Sequence, residues 1–185
     1  MLFVDLDKTL IKTDYLIESF FRYFSENIFA PIITLFVFLR NGKVGLKKFL
    51  YNKTNIAVEN LPYNQQVLSV IAEWKKNHPN EKIILISATY FEAVKEIKNH
   101  FKCFDESYGS EKLNLKSKVK LKKINELSVN KKFAYIGDSF ADLAIWEKAE
   151  KCYLVNPTKS LLKKARMINS SIEVIENKKN NILKQ

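Results

Sequence analysis

Two aspartates near the start of the chain, Asp5 and Asp7, are the first residues whose type and spacing could do chemistry. They follow a short apolar run. Alternate residues of an extended chain point to the same side, so we expect both carboxylates at the C-terminal end of one strand. Open α/β sheets bind ligands at that end, and two carboxylates held close repel unless a cation or a proton lies between them. The pair predicts a divalent metal site, although so short a pattern also arises by chance in solvated turns.

Two later apolar runs also end in polar residues. One run, 82–86, stops at Ser87, and another, 132–136, is followed by Gly137 and Asp138. If the strands are parallel, these ends lie at the same edge of the sheet. That edge would then hold a lysine from the segment 112–132, together with Asp5, Asp7, Thr9, Ser87, Asp138 and Asp142.

Each of these groups has a role in phosphoryl transfer. One carboxylate can act as nucleophile and another as acid and base, while a hydroxyl and an ammonium bind the phosphoryl oxygens. Mg²⁺ prefers one or two carboxylates together with water and substrate phosphate. We therefore expect Mg²⁺ at Asp138 and Asp5, with support from Asp142.

The elements that would position these groups alternate between strand and helix. This pattern predicts the α/β class, with a three-layer, Rossmann-like parallel sheet of about five strands and right-handed crossovers. We expect the core to comprise residues 1–13 and 81–176, a helical cap insertion to comprise residues 14–80, and residues 177–185 to form a frayed tail.

The predicted insertion is apolar and basic. A helix capped by Asp14 should run over residues 15–24, and a second over residues 32–40 should end at Gly42. The second helix is apolar all round and precedes a lysine-rich stretch, as in an interfacial helix that faces anionic headgroups. The alternative is that these helices bury their apolar faces on each other and on the core.

The composition limits the partners. The net charge of +11, from 31 Lys and Arg against 20 Asp and Glu, favours an acidic partner, although a general lysine bias explains it equally well. Only three residues are arginines, so no nucleic acid partner is expected. No secretory signal is visible, and the longest apolar run, Ile28–Leu39, is shorter than the about 20 residues that span a bilayer. We expect a cytoplasmic protein, with peripheral membrane contact through the insertion as the alternative.

The ordered set of motifs resembles the haloacid dehalogenase (HAD) superfamily of phosphohydrolases. The four motifs are Asp5-x-Asp7-x-Thr9, Ser87, a lysine in the linker, and Gly137-Asp138-x-x-x-Asp142. The segments 61–64, 114–116 and 141–146 more closely resemble the HAD domain found fused to, or beside, UbiA-type prenyltransferases. Lys8 departs from the pattern, because family members usually have glycine there.

The resemblance implies a role for each site residue. Asp5 would attack phosphorus to form an aspartyl-phosphate, and Asp7 would protonate the leaving oxygen and then activate water. Thr9 would orient that region, Ser87 would bind the phosphoryl group, and a lysine would neutralise its charge. The metal set would be Asp5, Asp7, Asp138 and Asp142, with Mg²⁺ as cofactor.

The lysine is chosen from four candidates in the linker. The Asn-Leu-Lys context favours Lys116, and the alternatives are Lys112, Lys118 and Lys120. Any one of them could equally lie on a solvated helix face.

The resulting hypothesis is a Mg²⁺-dependent phosphatase of the HAD type, acting on a phosphorylated small molecule or a lipid-linked substrate such as a polyprenyl-linked or sugar phosphate. The main alternative is a catalytically silent HAD-fold module that binds phosphate or a membrane surface. A response-regulator receiver is disfavoured because its accepting aspartate follows a strand in the middle of the chain, whereas Asp5 follows the first strand. A phosphotransferase would use the same residues.

Overall fold

A computed structural model describes residues 1–129 and 131–176, so the predicted frayed tail, 177–185, lies outside the described residues. Its centre is a six-stranded, all-parallel sheet in the order β3-β2-β1-β4-β5-β6. The strands are β1 Leu2–Val4, β2 Ile83–Tyr90, β3 Glu106–Ser110, β4 Ala134–Gly137, β5 Lys151–Val155 and β6 Ile172–Ile175.

The α-helices are α1 Tyr15–Glu26, α2 Ala30–Lys53, α3 Gln65–Asn77, α4 Phe91–His100, α5 Lys118–Ser128, α6 Leu143–Trp146 and α7 Lys159–Ile168. Successive residues of each buried strand face opposite sides of the sheet. In β1, Leu2 and Val4 pack with α3 and α4, whereas Phe3 packs with α5, α6 and α7. The prediction of a three-layer α/β fold is confirmed, with one strand more than expected, namely β6.

The register places the three central strands level with one another. Val4 of β1 lies between Leu85 of β2 and Ile136 of β4. The residues that follow these positions therefore meet at one edge of the sheet, with the β1 end in the middle. This register brings the polar residues of three distant chain segments together.

Helices α1 and α2 lie between β1 and β2 in the sequence and have a small apolar cluster of their own, made of Tyr23, Ala30 and Leu50. Helix α1 begins as expected, with the Asp14 carboxylate accepting hydrogen bonds from two backbone N–H groups. Helix α2 changes direction at Gly42, whose φ of 65° is the left-handed conformation that glycine adopts without steric cost. The predicted break at Gly42 is therefore a kink, after which helix continues to Lys53.

Helix α3 packs differently from α1 and α2. Its buried residues Val67, Ile71 and Trp74 belong to the same cluster as the residues of β1 and β2. The predicted insertion, 14–80, thus contains a helix that covers the sheet.

Among the described residues, no helix is both long and apolar enough to cross a membrane.

Candidate active site

The backbone turns sharply immediately after β1. Strand β1 ends at Val4, and residues Leu6–Leu10 form a helical turn that Asp5 begins by accepting a hydrogen bond from the Leu6 N–H, 2.8 Å long. Lys8 has a φ of 56°, which explains why a glycine would suit this position. The two aspartates are therefore presented by a turn, and not by the extended chain that their alternation predicts.

A buried lysine lies against the first aspartate. Lys120, only 3% exposed, places Nζ 2.9 Å from Asp5 Oδ1 and 3.7 Å from Asp142 Oδ1. Its ammonium also donates to the Tyr135 hydroxyl over 3.0 Å, and that hydroxyl donates to Asp142 Oδ1 over 2.8 Å. Helix α5, strand β4 and the loop after β1 thus meet in one buried charged network.

Three carboxylates can share a cation. Asp5, Asp138 and Asp142 each offer an oxygen, and the three oxygens lie within 4.8 Å of one another. Burial raises the pKa of Asp5 to about 8 against the lowering effect of Lys120, and burial with Asp142 close by raises the pKa of Asp138 to about 7. Lys120 brings one positive charge to three crowded acids, and an all-oxygen donor set suits Mg²⁺ as a further cation.

Asp142 is held in place by its own short turn. Its Oδ2 accepts hydrogen bonds from the backbone N–H and the hydroxyl of Ser139. A Cβ on Gly137 would lie 2.8 Å from the same oxygen, so the close approach of these segments requires glycine at residue 137.

The second aspartate has a separate set of partners. Asp7 Oδ2 accepts hydrogen bonds from Thr89 Oγ1 at 2.6 Å and Ser87 Oγ at 3.3 Å, and its Oδ1 accepts one from the Tyr15 N–H. Burial and the nearby Asp14 carboxylate raise the pKa of Asp7, and the hydrogen bonds from the Thr89 hydroxyl and the Tyr15 N–H oppose the increase. Both hydroxyls come from the C-terminal end of β2.

Helix α2 contributes two lysines, Lys43 and Lys47, to a cavity that the aspartates line. This cavity of about 180 Å³ is also lined by Lys116 and Lys120. The Lys47 ammonium donates to the Ala88 carbonyl and to Asn114 Oδ1, the latter over 3.1 Å. Burial lowers the pKa of Lys47 to about 8. The cavity therefore has an acidic floor and a lysine-rich wall.

The structure brings most of the predicted site residues together, with two qualifications. Thr9 is buried, and its hydroxyl has no hydrogen-bond partner among the described residues. Lys116 lines the cavity but is exposed, whereas Lys120 forms the ion pair with Asp5. Lys112 and Lys118 are exposed as well.

Sequence reasoning favoured Lys116 over Lys120, and it did not single out Thr89, Tyr135 or Lys47, which the structure places at the site. A sequence pattern could have favoured Lys120 over Lys116, because Lys120 lies four residues before Ile124 and eight before Ser128. The structure shows that all three positions are buried on one face of α5. Thr89 lies two residues after Ser87 on the same strand, so it also was within reach of a pattern. No local pattern indicates Tyr135 or Lys47.

The chain was compared with known proteins both by sequence and by structure. No protein-family model matches the chain. One relative, y4nM of Sinorhizobium fredii, is described as uncharacterised and is 32% identical over 184 residues. The alignment covers 99% of the chain but only 35% of the relative, so the chain spans about a third of that protein.

Solved structures match over almost the whole chain. A Bordetella pertussis protein of unknown function has a TM-score of 0.69 at 15% identity and covers 95% of this chain and 97% of its own. A haloacid dehalogenase-like hydrolase from Streptococcus pneumoniae has a TM-score of 0.63 at 14% identity, covering 96% and 93%. A phosphoserine phosphatase, solved as an analogue of its phospho-aspartyl intermediate, has a TM-score of 0.58 at 16% identity, covering 96% and 93%.

The chain has the HAD hydrolase fold. At these identities the likeness concerns the fold alone. The predicted resemblance is thereby supported at the level of architecture, and the chemistry has to be argued from the side chains that this fold brings together.

Proposed function

We propose that the protein is a Mg²⁺-dependent phosphohydrolase of the HAD type that cleaves a phosphate monoester through an aspartyl-phosphate on Asp5. The observation that carries this proposal is the buried group formed by Asp5, Lys120, Asp138 and Asp142 beneath a cavity walled by lysines. So many buried charges are costly to desolvate, which favours a role in binding or chemistry.

Asp5 is the proposed nucleophile. Its Oδ1 is held by the Leu6 N–H and the Lys120 ammonium, which leaves Oδ2 to attack phosphorus. The bond between phosphorus and the leaving oxygen breaks as the new bond forms. In the second half of the reaction, water attacks the phosphorus and restores the carboxylate.

Asp7 is the proposed acid and base. Burial raises its pKa, which favours the protonated carboxyl that donates to the leaving oxygen. The resulting carboxylate then takes a proton from the attacking water. The Thr89 hydroxyl donates to Asp7 Oδ2 over 2.6 Å, so the carboxyl keeps one orientation through both steps.

We assign charge neutralisation of the phosphoryl group chiefly to Lys120, with Lys116 closer to the cavity mouth. Lys120 touches the attacking carboxylate, whereas Lys116 is exposed. Ser87, whose hydroxyl is 3.3 Å from Asp7 Oδ2, is the hydroxyl proposed to bind the phosphoryl oxygens, and Thr9 would orient the turn from its buried position. Positive groups that face the transferring phosphoryl stabilise its developing negative charge.

Asp5, Asp138 and Asp142 are proposed to hold Mg²⁺, with Asp7 taking part through its backbone carbonyl. When bound, the ion would neutralise charge on the phosphate oxygens.

We propose that α1 and α2 form the cap and that the core includes α3, so the cap ends before residue 64. The separate apolar cluster of α1 and α2 and the packing of α3 on the sheet support this division. We also propose that this HAD domain is of the type associated with UbiA-type prenyltransferases, which the segments 61–64, 114–116 and 141–146 resemble.

The proposed substrate is a phosphorylated small molecule whose leaving group is either a sugar or a polyprenyl-linked group. The cap also exposes large apolar residues that could contact a membrane, namely Ile28, Phe29, Ile32, Phe36 and Leu39. Binding to anionic liposomes tests this contact, and a chain that ignores such liposomes would contradict it. A cytoplasmic location stays a prediction.

The main alternative is a catalytically silent module that uses the same pocket to bind phosphate. The positive φ of Lys8, which lines the cavity, is the observation that favours it. All four aspartates of the motifs are nevertheless in or beside the cavity, so the reactive set is complete.

Release of inorganic phosphate from an aryl phosphate tests the function. We expect turnover that requires Mg²⁺, disappears with chelator and falls at least about 1000-fold in Asp5→Asn, because the amide is a poor nucleophile. Glu26→Gln, at an exposed position of α1, is the matched control. Turnover that survives Asp5→Asn would contradict the proposed nucleophile, and phosphate binding without turnover would favour the silent module.

A further inference from the structure

A second cavity runs between α1 and α2. Its volume is about 590 Å³, and it opens to the surface. Its lining includes Leu16 and Phe21 of α1 and Thr34, Phe38, Leu46 and Leu50 of α2, and we call this cavity the apolar groove.

The apolar groove offers almost no polar contact. Of the described residues that line it, Thr34 alone is polar, and the Thr34 hydroxyl already donates to the Ala30 carbonyl over 2.7 Å. Several lining residues are well exposed, including Phe21, Leu35 and Phe38. A contiguous apolar surface of this kind is uncommon on a lone domain and marks a binding site. Its occupant must be apolar.

The apolar groove adjoins the cavity of about 180 Å³ that Asp5 and Asp7 line, which we call the reaction cavity. Leu16 of α1 lines both spaces, so its side chain lies between them. After its kink, α2 directs Lys43 and Lys47 toward the reaction cavity and Leu46 and Leu50 toward the apolar groove. An occupant that crosses Leu16 would meet lysines at its anionic end and leucines beyond it.

We propose that the apolar groove holds the hydrocarbon chain of the substrate, which would be the monophosphate of a long aliphatic or isoprenoid alcohol. The inference rests on the proposed function and selects the lipid type of leaving group. Asp5 forms the bond to phosphorus, the bond from phosphorus to the chain oxygen breaks, and Asp7 gives that oxygen its proton. Water then releases inorganic phosphate, so the products are the free alcohol and phosphate.

A chain-length series of substrates tests the proposal. Phosphate release from n-butyl, n-octyl and n-dodecyl phosphate is compared in Mg²⁺, below the concentrations at which they form micelles. A fully buried methylene favours binding by about fourfold, so we expect kcat/KM to rise at least about 100-fold from butyl to dodecyl phosphate. An equal rate on all three esters would overturn the inference while leaving the phosphatase intact.

Two phenylalanines of the same helix provide matched variants. Phe38 lines the apolar groove and is 44% exposed, whereas Phe36 is 62% exposed and outside the lining. Phe38→Gln should lower the dodecyl-to-butyl ratio at least about fivefold, because a polar amide replaces apolar contact. Phe36→Gln should leave the ratio unchanged. A ratio that falls equally in both variants would argue against the apolar groove as the chain site.

Calorimetric measurement of the affinity for each alkyl phosphate tests the inference separately from the proposed activity. If no phosphate ester is hydrolysed, the proposed function fails, but dodecyl phosphate should still bind at least about 100-fold more tightly than butyl phosphate. Equal affinities would overturn the inference independently. The remaining outcome is that the chain forms a dimer, which becomes monomeric and able to bind dodecyl phosphate only in Phe38→Gln. That result would assign the apolar groove to a second copy of the chain and overturn the inference.

Discussion

At the scale of single residues, the proposed chemistry depends on which lysine is buried. Lys112, Lys116 and Lys118 are exposed, and Lys120 lies inside the protein between Asp5 and Asp142. A lysine in that position balances two buried carboxylates. It therefore contributes to stability as well as to the proposed reaction.

We expect Lys120→Met to lower kcat at least about 100-fold, because the ammonium that we propose neutralises the phosphoryl group is lost. The variant should also be less stable by about 3–5 kcal/mol, since removing one partner leaves buried charge uncompensated. Phosphate release and urea unfolding measure the two effects. Lys122→Met, an exposed position on the same helix, should change neither. If Lys116→Met abolished turnover and Lys120→Met did not, the assignment of the two lysines would be reversed.

At the scale of elements, the kink in α2 decides which side chains reach the reaction cavity. Gly42 has φ 65° and ψ −170°, a region that is essentially restricted to glycine. Lys43 and Lys47 follow immediately and line the cavity. The direction of the second half of α2 therefore depends on one residue without a side chain.

Gly42→Ala should destabilise the protein by about 1–3 kcal/mol, the usual cost of holding a side chain in this conformation. It should also raise KM more than it lowers kcat, because the lysine wall shifts while Asp5 and Asp7 stay in place. Thermal unfolding and steady-state kinetics measure the two effects, and Arg40→Ala on the same helix is the exposed control. An alanine variant with unchanged stability would show that the kink is not needed.

At the scale of the whole molecule, folding crowds acids that come from two distant segments of the chain. The pKa of Asp5 is about 8 and that of Asp138 about 7, against 3.8 for an ordinary aspartate. A carboxyl whose pKa is raised on folding stabilises the folded chain below its unfolded pKa, and this contribution is lost as pH rises through the folded pKa. Without metal, the stability from these two groups should fall between about pH 4 and pH 8.

Mg²⁺ should therefore stabilise the protein more at high pH than at low pH. Protons compete with the ion for the carboxylates, so we expect a larger rise in Tm with Mg²⁺ at about pH 8.5 than at about pH 6. Calorimetry with Mg²⁺ and with chelator measures both shifts. Asp138→Asn should lose most of the shift, and an equal shift at the two pH values would contradict the proposed cation site.

The sequence alone was sufficient to predict the α/β architecture and which acidic residues lie at one edge of the sheet. Buried parallel strands are continuous apolar runs, and a polar residue at the end of such a run indicates the edge where ligands bind. Asp5, Ser87 and Asp138 could be found in this way because the signal is local. Strand β6 was missed because Ile172–Ile175 is a short segment with one exposed residue, so its apolar pattern is weak.

Only the tertiary structure decided how these residues are used. Lys120, Tyr135 and Lys47 reach the site from α5, β4 and α2, so their relation to Asp5 and Asp7 depends on packing between segments that no local pattern connects. The same is true of the apolar groove, since its lining comes from two helices that face each other across a kink. Local periodicity determines which face of an element is buried, whereas the position of a buried charge depends on the partners that compensate it.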